Sequence, residues 1–217
     1  MMEMMKIYLI RHGRQCDSRC NVNVSLSEEG VRQARLVGQR LQNAGIQKLY
    51  ASDLIRARET AEYANTYLNL DIEIEPAFRE IDFGDLEGIP AKELWVRYPE
   101  FRKWQNRMEV DLAYPGGESG ADLVARSMPA LLRVVEEGSD CIAIVTHGCW
   151  IKLMICFLFG IPLPRWKVLG ITFENCGITE LGYDRETKQF SLERFNDYAH
   201  LEPYPELLRA AWGIKEN

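Results

Sequence analysis

IYLIRHG at residues 7–13 and IAIVTHG at residues 142–148 are the two stretches that decide the fold of this chain. In both, four apolar residues are followed by one polar residue, a histidine and a glycine. A short apolar run rich in branched residues is typical of a strand buried in a parallel sheet. Residues just beyond such strands lie where open α/β sheets bind their ligands. The two stretches therefore predict a parallel sheet with both histidines at the same edge.

A single histidine at a strand end is more often a hydrogen-bonded structural residue than a catalytic one. The chain contains three histidines, and two of them, His12 and His147, follow the same kind of apolar run. This repetition favours a catalytic pocket over simple packing.

Length and charge narrow the classes of function. The chain has 217 residues and a formal net charge of −6. This length suits one well-filled α/β domain, so we expect residues 1–217 to form a single domain. The acidic balance disfavours a basic surface for nucleic acid or anionic membranes, and we expect neither as a partner. The longest apolar stretch, Ile151–Ile161, contains Lys152 and is too short to span a bilayer.

Cysteine usage and the first residues indicate the compartment. The six cysteines form no CxxC pair, and a chain of this length does not need disulfides for stability. The apolar run near the start is shorter than that of a cleavable signal. We therefore expect reduced thiols and a cytoplasmic location.

Apolar periodicity predicts alternating strands and helices along the chain. Strands are predicted at 6–10, 48–51, 71–75, 142–145, 171–181 and 190–195. Helical patterns lie between most of them, the first beginning at Ser27 and the second capped by Ser52 and Asp53. This alternation predicts a three-layer α/β/α fold, in which helices cover both faces of a mostly parallel sheet of about six strands.

A segment at about residues 89–118 predicts a small helical cap inserted into the domain. Its apolar residues have helical spacing, and Pro99 divides it into two helices. Its prominent aromatic residues are Trp95, Tyr98, Phe101, Trp104 and Tyr114. They either select the substrate or form a satellite hydrophobic cluster under the cap, and both interpretations stay open at this point.

The ends of the predicted strands carry side chains suited to a phosphate group. The first strand leads to Arg11 and His12, and the fourth leads to His147. The second leads to a helix with Arg56 in its first turn, and Glu80 follows the third. Arginine presents a planar fork of donors that matches phosphate oxygens. A neutral imidazole can attack phosphorus, and a carboxylic acid can protonate the leaving oxygen.

Five motifs occur in a fixed order along nearly the whole chain. They are LIRHG at 9–13, SxLxRAxxTA at 52–61, ExxFGxxEG at 80–88, PGGES at 115–119 and THG at 146–148. Together they resemble the histidine phosphatase superfamily, which includes the cofactor-dependent phosphoglycerate mutases. RHG alone is weak evidence, but five ordered motifs are specific. The resemblance implies a phosphoglycerate mutase-like fold.

The resemblance also implies a role for each matching residue. His12 is expected to be the phosphorylated nucleophile and Glu80 the proton donor. His147 is expected to act in catalysis by holding the phosphoryl oxygens together with Arg11 and Arg56. No metal and no cofactor are implied. Independently, the histidines lack the HExxH or HxH spacing of metal ligands.

The loop after RHG departs from the pattern of many relatives, which carry Thr or Ser two positions after the glycine and then Asn. Here Arg14 and Gln15 follow the glycine. We expect Asn21 to bind the substrate phosphate, although Asn23 is an equally suitable amide and the sequence leaves the choice open. Arg14 and Arg19 are either extra charge near the substrate or solvated loop residues.

The loop that carries Glu80, residues 80–88 (the acid loop), and the segment after Leu201 (the tail) favour a phosphatase over a mutase. The string EIDFGDLEG at 80–88 is similar to phosphatase members, and few residues follow His200-Leu201 to close over a bisphosphate. We therefore predict a metal-independent phosphatase that hydrolyses a small phosphorylated metabolite. Phosphoglycerate mutase-type transfer is the alternative, and a catalytically silent binding protein is a second one. The identity of the substrate is left open, as is the formation of a homodimer.

Overall fold

The computed structural model describes residues 4–170 and 172–213 and contains a six-stranded sheet. The strands are β1 (Met5–Arg11), β2 (Lys48–Ala51), β3 (Ile72–Ile74), β4 (Cys141–Thr146), β5 (Ile178–Asp184) and β6 (Gln189–Asp197). Their order across the sheet is β3-β2-β4-β1-β5-β6. Strands β1 to β4 run parallel, and β5 pairs antiparallel with both β1 and β6. The prediction of a mostly parallel sheet is confirmed.

The fifth strand differs from its predicted range of 171–181 because it begins at Ile178. Residue 171 lies outside the described residues. Just before the strand the chain turns, and Cys176 has a φ of 55°, which a strand does not allow. Phe173 and Cys176 are buried in the core. The apolar character of this segment therefore reflects burial rather than strand pairing.

The two strands that carry the histidine motifs lie side by side in the middle of the sheet, with Arg11 opposite Thr146. In β1, Ile7 and Leu9 enter one hydrophobic cluster, whereas Ile10 enters the cluster on the other face. Successive side chains of a strand point to opposite faces. Burial on both faces explains why β1 and β4 are continuous apolar runs.

Helices cover both faces of the sheet, as the predicted three-layer fold requires. They are α1 (Glu28–Leu41), α2 (Ile55–Leu68), α3 (Ala91–Arg97), α4 (Pro99–Arg107), α5 (Gly120–Glu136) and α6 (Gly148–Leu158). The apolar sides of α1 and α2 pack on one face, and those of α5 and α6 pack on the other. Short 3-10 helices lie at 76–78, 84–86, 163–169, 205–207 and 209–213.

The N-termini of α1 and α2 are capped in different ways. Ser27 Oγ accepts from Gly30 N at 3.2 Å and caps α1, as predicted. The predicted Ser52-Asp53 cap of α2 is wrong, since Leu54 occupies the cap position. Asn23 Oδ1 from the loop after β1 accepts from Ile55 N at 2.8 Å. A cap supplied from a distant loop leaves no signal in the sequence beside the helix.

Helix α6 is apolar around most of its circumference because it packs against β1, α5 and the 3-10 helix at 163–169. All of its residues from Trp150 to Cys156 are buried. Among the described residues, no single helix is long and apolar enough to cross a membrane. Only α6 taken together with the 3-10 helix at 163–169, a pair bent by 114°, meets the length and composition of a span.

The cap consists of α3 and α4, inside the segment predicted to be inserted. Pro99 is the first residue of α4, where its missing N–H costs no helical hydrogen bond. None of the residues of α4 is buried. The cap is therefore held by the aromatic side chains beneath it rather than by a core of its own.

Candidate active site

The carboxyl ends of β1, β2 and β4 meet at one edge of the sheet. His12 N donates to Thr146 O at 2.9 Å, and Ser52 N donates to Val145 O at 2.9 Å. These bonds continue the strand pairing and fix the residues that follow each strand. The ring centroids of His12 and His147 lie 5.1 Å apart. The structure thus brings the two histidine motifs into one pocket.

Hydrogen bonds fix the tautomer of His12. Its Nδ1 lies 2.7 Å from Gly13 O, and because a carbonyl oxygen only accepts, the proton is on Nδ1. Arg56 Nε donates to His12 Nε2 at 3.3 Å. Asn175 Nδ2 donates to the backbone carbonyl of His12 at 2.7 Å and holds the residue in place. The Nε2 atom therefore carries the lone pair and faces a guanidinium group.

Burial keeps the imidazole of His12 neutral. The residue is 6 % exposed. Burial, followed by the positive charges of Arg56 and Arg11, lowers the pKa of His12 well below its usual value. An unprotonated ring nitrogen between two guanidinium groups is suited to attack an anionic electrophile.

His147 is fully buried against Ser52. Its Nε2 lies 2.8 Å from Ser52 Oγ, which also accepts from Leu54 N at 3.3 Å. A hydroxyl oxygen has one proton and two lone pairs, so Ser52 Oγ satisfies His147 Nε2 in either tautomer of the ring. Among the described residues, His147 Nδ1 has no hydrogen-bond partner. Burial and then the charge of Arg56 lower the pKa of His147 well below its usual value, so the ring is neutral at pH 7.

Arg11 ends β1 and turns its guanidinium toward the carboxyl-terminal part of the chain. One of its terminal nitrogens donates to Phe173 O, whereas its buried Nε has no partner within the described residues. Glycine at position 148 permits this placement, because a Cβ on Gly148 would lie 3.3 Å from Arg11 Nε. Burial and then the charge of Arg209 lower the pKa of Arg11 to about 9, so Arg11 stays cationic at neutral pH.

Arg56 is 2 % exposed and is held by the loop after β1. Its two terminal nitrogens donate to Asn21 Oδ1 at 2.6 Å and to Val22 O at 3.1 Å. Asn21 Nδ2 in turn donates to Glu87 Oε1 at 2.5 Å. Of the two amides left open by the sequence, Asn21 contacts Arg56, while Asn23 caps α2.

Glu80 reaches the pocket from the loop after β3. Its Oε2 accepts from Cys149 N at 3.1 Å, and its Oε1 accepts from Trp150 N at 2.9 Å. These N–H groups belong to the first turn of α6, where they have no partner within the helix. Because α6 directly follows His147, these bonds fix the carboxyl group of Glu80 next to His147.

A partly buried ion pair between Arg126 on α5 and Glu118, which local sequence patterns do not predict, holds the loop of Glu80. Arg126 Nε lies 2.7 Å from Glu118 Oε1, and Glu118 Oε2 accepts from Asp82 N at 2.9 Å. The terminal nitrogens of Arg126 donate to three loop carbonyls, those of Ala77, Arg79 and Glu80, at 2.8, 3.0 and 2.9 Å. Glu118 belongs to the PGGES motif, but no local pattern marks Arg126 as its partner.

An aromatic cavity of about 320 Å³ lies between the cap and the core. It borders Cys149, whose backbone N–H donates to Glu80. The aromatic residues of its lining are Phe83, Trp95, Tyr114 and Trp166. The ring centroids of Phe83 and Tyr114 are 4.7 Å apart. The cavity is large enough for part of a small molecule and adjoins the candidate site at Cys149.

Cap aromatics divide between this cavity and the surface. Trp95 and Tyr114 line the cavity, and Gln105 Nε2 donates to Tyr114 Oη at 2.9 Å. Trp104 is 46 % exposed and stacks against the guanidinium of Arg107 at 4.4 Å. Trp166, from the 3-10 helix at 163–169, was not foreseen, because its sequence gave no sign that this segment returns to the cap.

The described part of the chain contains no group of three or more His, Cys, Asp or Glu side chains arranged to hold a metal ion. All six cysteines are free thiols. Cys20 and Cys149 border the aromatic cavity, and burial raises the pKa of the Cys20 thiol to about 11.

The buried histidines make the stability of the fold dependent on pH. Burial lowers the pKa of His12 and His147 well below the usual value and that of His200 to about 4. In the unfolded chain each titrates near about 6.5, so below that pH the unfolded state binds more protons. The free energy of unfolding should therefore fall as the pH drops from 7.5 to 5.5. Urea unfolding at pH 7.5, 6.5 and 5.5 measures this, and at pH 5.5 we expect an uptake of nearly three protons.

His200→Gln is the matched variant for this measurement. It removes one of the three titrating histidines, the one that lies outside the pocket. Its unfolding should take up about one proton fewer at pH 5.5. A free energy of unfolding that does not change over this pH range would contradict the neutral state of the buried rings.

Comparison with known proteins identifies the family. The family model described as the histidine phosphatase superfamily (branch 1) matches residues 7–198. The chain belongs to this superfamily. A curated relative in the superfamily, the probable phosphoglycerate mutase GpmB of Yersinia pestis (strain Pestoides F), is 31% identical over 215 residues. The match covers 92% of this chain and 96% of that relative. The resemblance drawn from the motifs is confirmed.

Solved structures of relatives share the fold of this histidine phosphatase superfamily member. Mycobacterial glucosyl-3-phosphoglycerate phosphatase is 27% identical, with a TM-score of 0.80, over 88% of this chain and 98% of that one. YhfR of Bacillus stearothermophilus is 27% identical, with a TM-score of 0.80, over 91% of this chain and 99% of that one. The phosphoglycerate mutase from Bacillus anthracis str. Sterne, at 23% identity and a TM-score of 0.78, shares the fold over 92% of this chain and 96% of that one. Relatives named as phosphatases and as mutases are both represented.

Proposed function

We propose that this protein is a metal-independent phosphatase that hydrolyses a small phosphomonoester through a phosphohistidine intermediate on His12. The observation that carries the proposal is the tautomer of His12, whose unprotonated Nε2 faces Arg56 with His147 alongside. The 27% identity to a structure named as a phosphatase supports the same class of reaction.

In the first step, His12 Nε2 forms a bond to phosphorus while the bond from phosphorus to the ester oxygen breaks. Arg56, Arg11 and His147 hold the phosphoryl oxygens during this step. Support comes from Arg11 Nε, a buried N–H group without a partner among the described residues, and from His147 Nδ1, which also lacks a partner there and donates when the ring proton is on Nδ1. Fixed donors of this kind stabilise the charge of a transition state. The Nδ1–H bond to Gly13 O stabilises the positive charge of the phosphorylated ring.

Glu80 serves both halves of the reaction. Its carboxyl proton goes to the leaving ester oxygen, which releases the alcohol and leaves Glu80 as a carboxylate. The carboxylate then takes a proton from water, and the water oxygen attacks phosphorus as the bond to His12 breaks. Inorganic phosphate is released and both residues return to their starting states. The contacts of Glu80 with the first turn of α6 support this role, because they fix its carboxyl group beside the pocket.

The position of Glu80 depends on Arg126, a positioning residue. Arg126→Met should lower kcat by about 10- to 100-fold with little change in KM, because it removes the donor to the carbonyls of Arg79 and Glu80 and the ion pair with Glu118. Steady-state kinetics with an alkyl phosphate measures the effect. In a double-mutant cycle with Glu80→Gln, the two losses should be far from additive.

Arg133→Met is the matched control for this prediction. Arg133 lies on the same helix and pairs with Glu75 and Glu137 at the surface. We expect its kinetics to stay within about twofold of wild type, since exposed pairs contribute little. An Arg126→Met enzyme with unchanged kcat, or with a loss that adds fully to that of Glu80→Gln, would show that Arg126 does not position the acid.

Phosphate release from a panel of phosphomonoesters tests the proposed function. The panel includes 3-phosphoglycerate, and the assays contain excess chelator with His12→Ala as the control. Release that survives the chelator and disappears in His12→Ala is the expected result. Release that requires a metal ion, or that persists in His12→Ala, would contradict the proposal.

Mutase-type transfer is the second candidate, and two observations favour it. The 31% identical relative carries the name of a phosphoglycerate mutase. In addition, the segment 205–213 packs back toward the site, and the charge of Arg209 acts on Arg11. Phosphorus NMR of 3-phosphoglycerate with the enzyme separates the two reactions. Phosphate release faster than formation of 2-phosphoglycerate is expected, and the opposite order would establish the mutase.

A further inference from the structure

The carboxyl-terminal segment, residues 205–213, packs against the loop that follows the nucleophile. Leu207 is fully buried, and its carbonyl accepts from Gln33 Nε2 at 2.7 Å. Gln33 Oε1 accepts from Arg14 N at 2.8 Å, two residues after His12. The buried Gln33 therefore ties the segment to the catalytic loop.

Arg209 links this segment to the nucleophile through Asn175. Its backbone N donates to Glu174 Oε2 at 3.0 Å, which fixes the start of the last helical turn. One of its terminal nitrogens donates to Asn175 Oδ1 at 3.4 Å, and the same Asn175 holds the carbonyl of His12. A single amide side chain thus separates the guanidinium of Arg209 from the backbone of His12.

Among residues 4–170 and 172–213, no carboxylate oxygen forms a salt bridge within 4.0 Å of the guanidinium of Arg209, although the charge of the buried Glu174 acts on it. The ring of Trp212 lies 4.8 Å from the guanidinium. The guanidinium of Arg209 lies near a second cation, Arg11. After burial, the charge of Arg209 is the largest influence that lowers the pKa of Arg11. Two like charges held near each other in a partly buried place repel, and a bound anion removes that repulsion.

We propose that Arg209 is a third guanidinium of the phosphate site and donates to an oxygen of the bound phosphoryl group together with Arg11 and Arg56. The proposal rests on the proposed function, since it assigns a further binding residue to the same site. The proposal also gives the carboxyl-terminal segment a role. The packed segment adds the positive charge of Arg209 to those of Arg11 from the RHG motif and Arg56 from α2.

Binding of inorganic phosphate and of orthovanadate, measured by calorimetry at constant ionic strength, tests the proposal without requiring turnover. Arg209→Gln should weaken the binding of both anions by about 10- to 100-fold, the range for a charge-assisted hydrogen bond. Arg209→Lys should recover part of the loss. KM for a phosphomonoester should rise by a similar factor, with a smaller change in kcat and an unchanged melting temperature.

Arg32→Gln is the matched control, because it removes the surface ion pair with Glu206 in the same segment at 2.9 Å and leaves Arg209 in place. Its phosphate affinity should stay within about twofold of wild type. Unchanged phosphate affinity in Arg209→Gln would overturn the proposal. An equal loss in Arg32→Gln would also overturn it, since docking of the segment would then be the cause. A loss confined to substrates with a second anionic group would place Arg209 outside the phosphoryl site.

The two hypotheses fail in distinguishable ways. If no phosphomonoester is hydrolysed but Arg209→Gln still weakens phosphate binding, the proposed function is wrong and the role of Arg209 stands. If hydrolysis occurs and Arg209→Gln binds phosphate as wild type does, the role of Arg209 is wrong and the function stands.

Discussion

His12→Ala is expected to lower kcat/KM by at least about 10⁴-fold, because no other side chain of the pocket can carry the phosphoryl group. His147, the nearest ring at 5.1 Å, has its Nε2 engaged with Ser52 Oγ. Initial rates of phosphate release from a reactive aryl phosphate measure the loss. Mixing wild-type enzyme with substrate and quenching rapidly in alkali should also trap a phosphohistidine, which is stable in base.

The control for this variant is His200→Gln, which removes the histidine that lies in neither motif. Its activity should remain within about twofold of wild type. An alanine variant at position 12 that still forms an alkali-stable phosphoenzyme would move the nucleophile to another residue. Circular dichroism and the binding of inorganic phosphate show whether His12→Ala has kept its fold and its anion site.

Glu80→Gln is expected to lower kcat for alkyl phosphates by about 10²- to 10⁴-fold, the range for the loss of a general acid. Glutamine keeps the oxygen that accepts from Trp150 N and loses the one that accepts from Cys149 N, so the loop keeps one of these two anchors on the first turn of α6. What is lost is the proton for the leaving oxygen. The measurement is kcat for a series of phosphomonoesters whose alcohols differ in pKa.

The dependence on the leaving group makes this prediction specific to proton donation. A nitrophenolate leaves without protonation, so Glu80→Gln should lower kcat for that ester by less than about tenfold. An equal loss for alkyl and nitrophenyl esters would mean that Glu80 acts by holding α6 or the substrate instead. Gln105→Leu, which alters the aromatic cavity but not the acid loop, provides a comparison for effects on binding alone.

Local patterns in the sequence were enough to predict the sheet and the residues at its edge. The apolar runs before His12 and His147 predict buried strands because a strand covered on both faces has no exposed position for a polar side chain. The order of the five motifs led to the superfamily, and the structure brings Arg11, Arg56 and Glu80 to the same pocket. Their catalytic roles stay predictions until the variants are measured.

Residues that act on the pocket from a distance could not be predicted from local patterns. Which of Asn21 and Asn23 contacts Arg56 depends on how the loop after β1 folds between Arg56 and the start of α2. Arg126 meets the acid loop only because α5 packs on the same face of the sheet, 46 residues beyond Glu80. Periodicity reports which side of a helix is buried, but not which loop lies against it.

The sequence by itself determined the strands, the two histidines at their ends and the family, because these depend on residues close together in the chain. Only the tertiary structure decided the proton position on His12, the cavity beneath the cap and the return of Arg209 to the site. Each of these depends on groups far apart in sequence that packing brings within hydrogen-bond or charge-interaction distance. The physical reason is that burial of apolar faces fixes the fold, while the site's electrostatics arise from whichever polar groups that fold brings together.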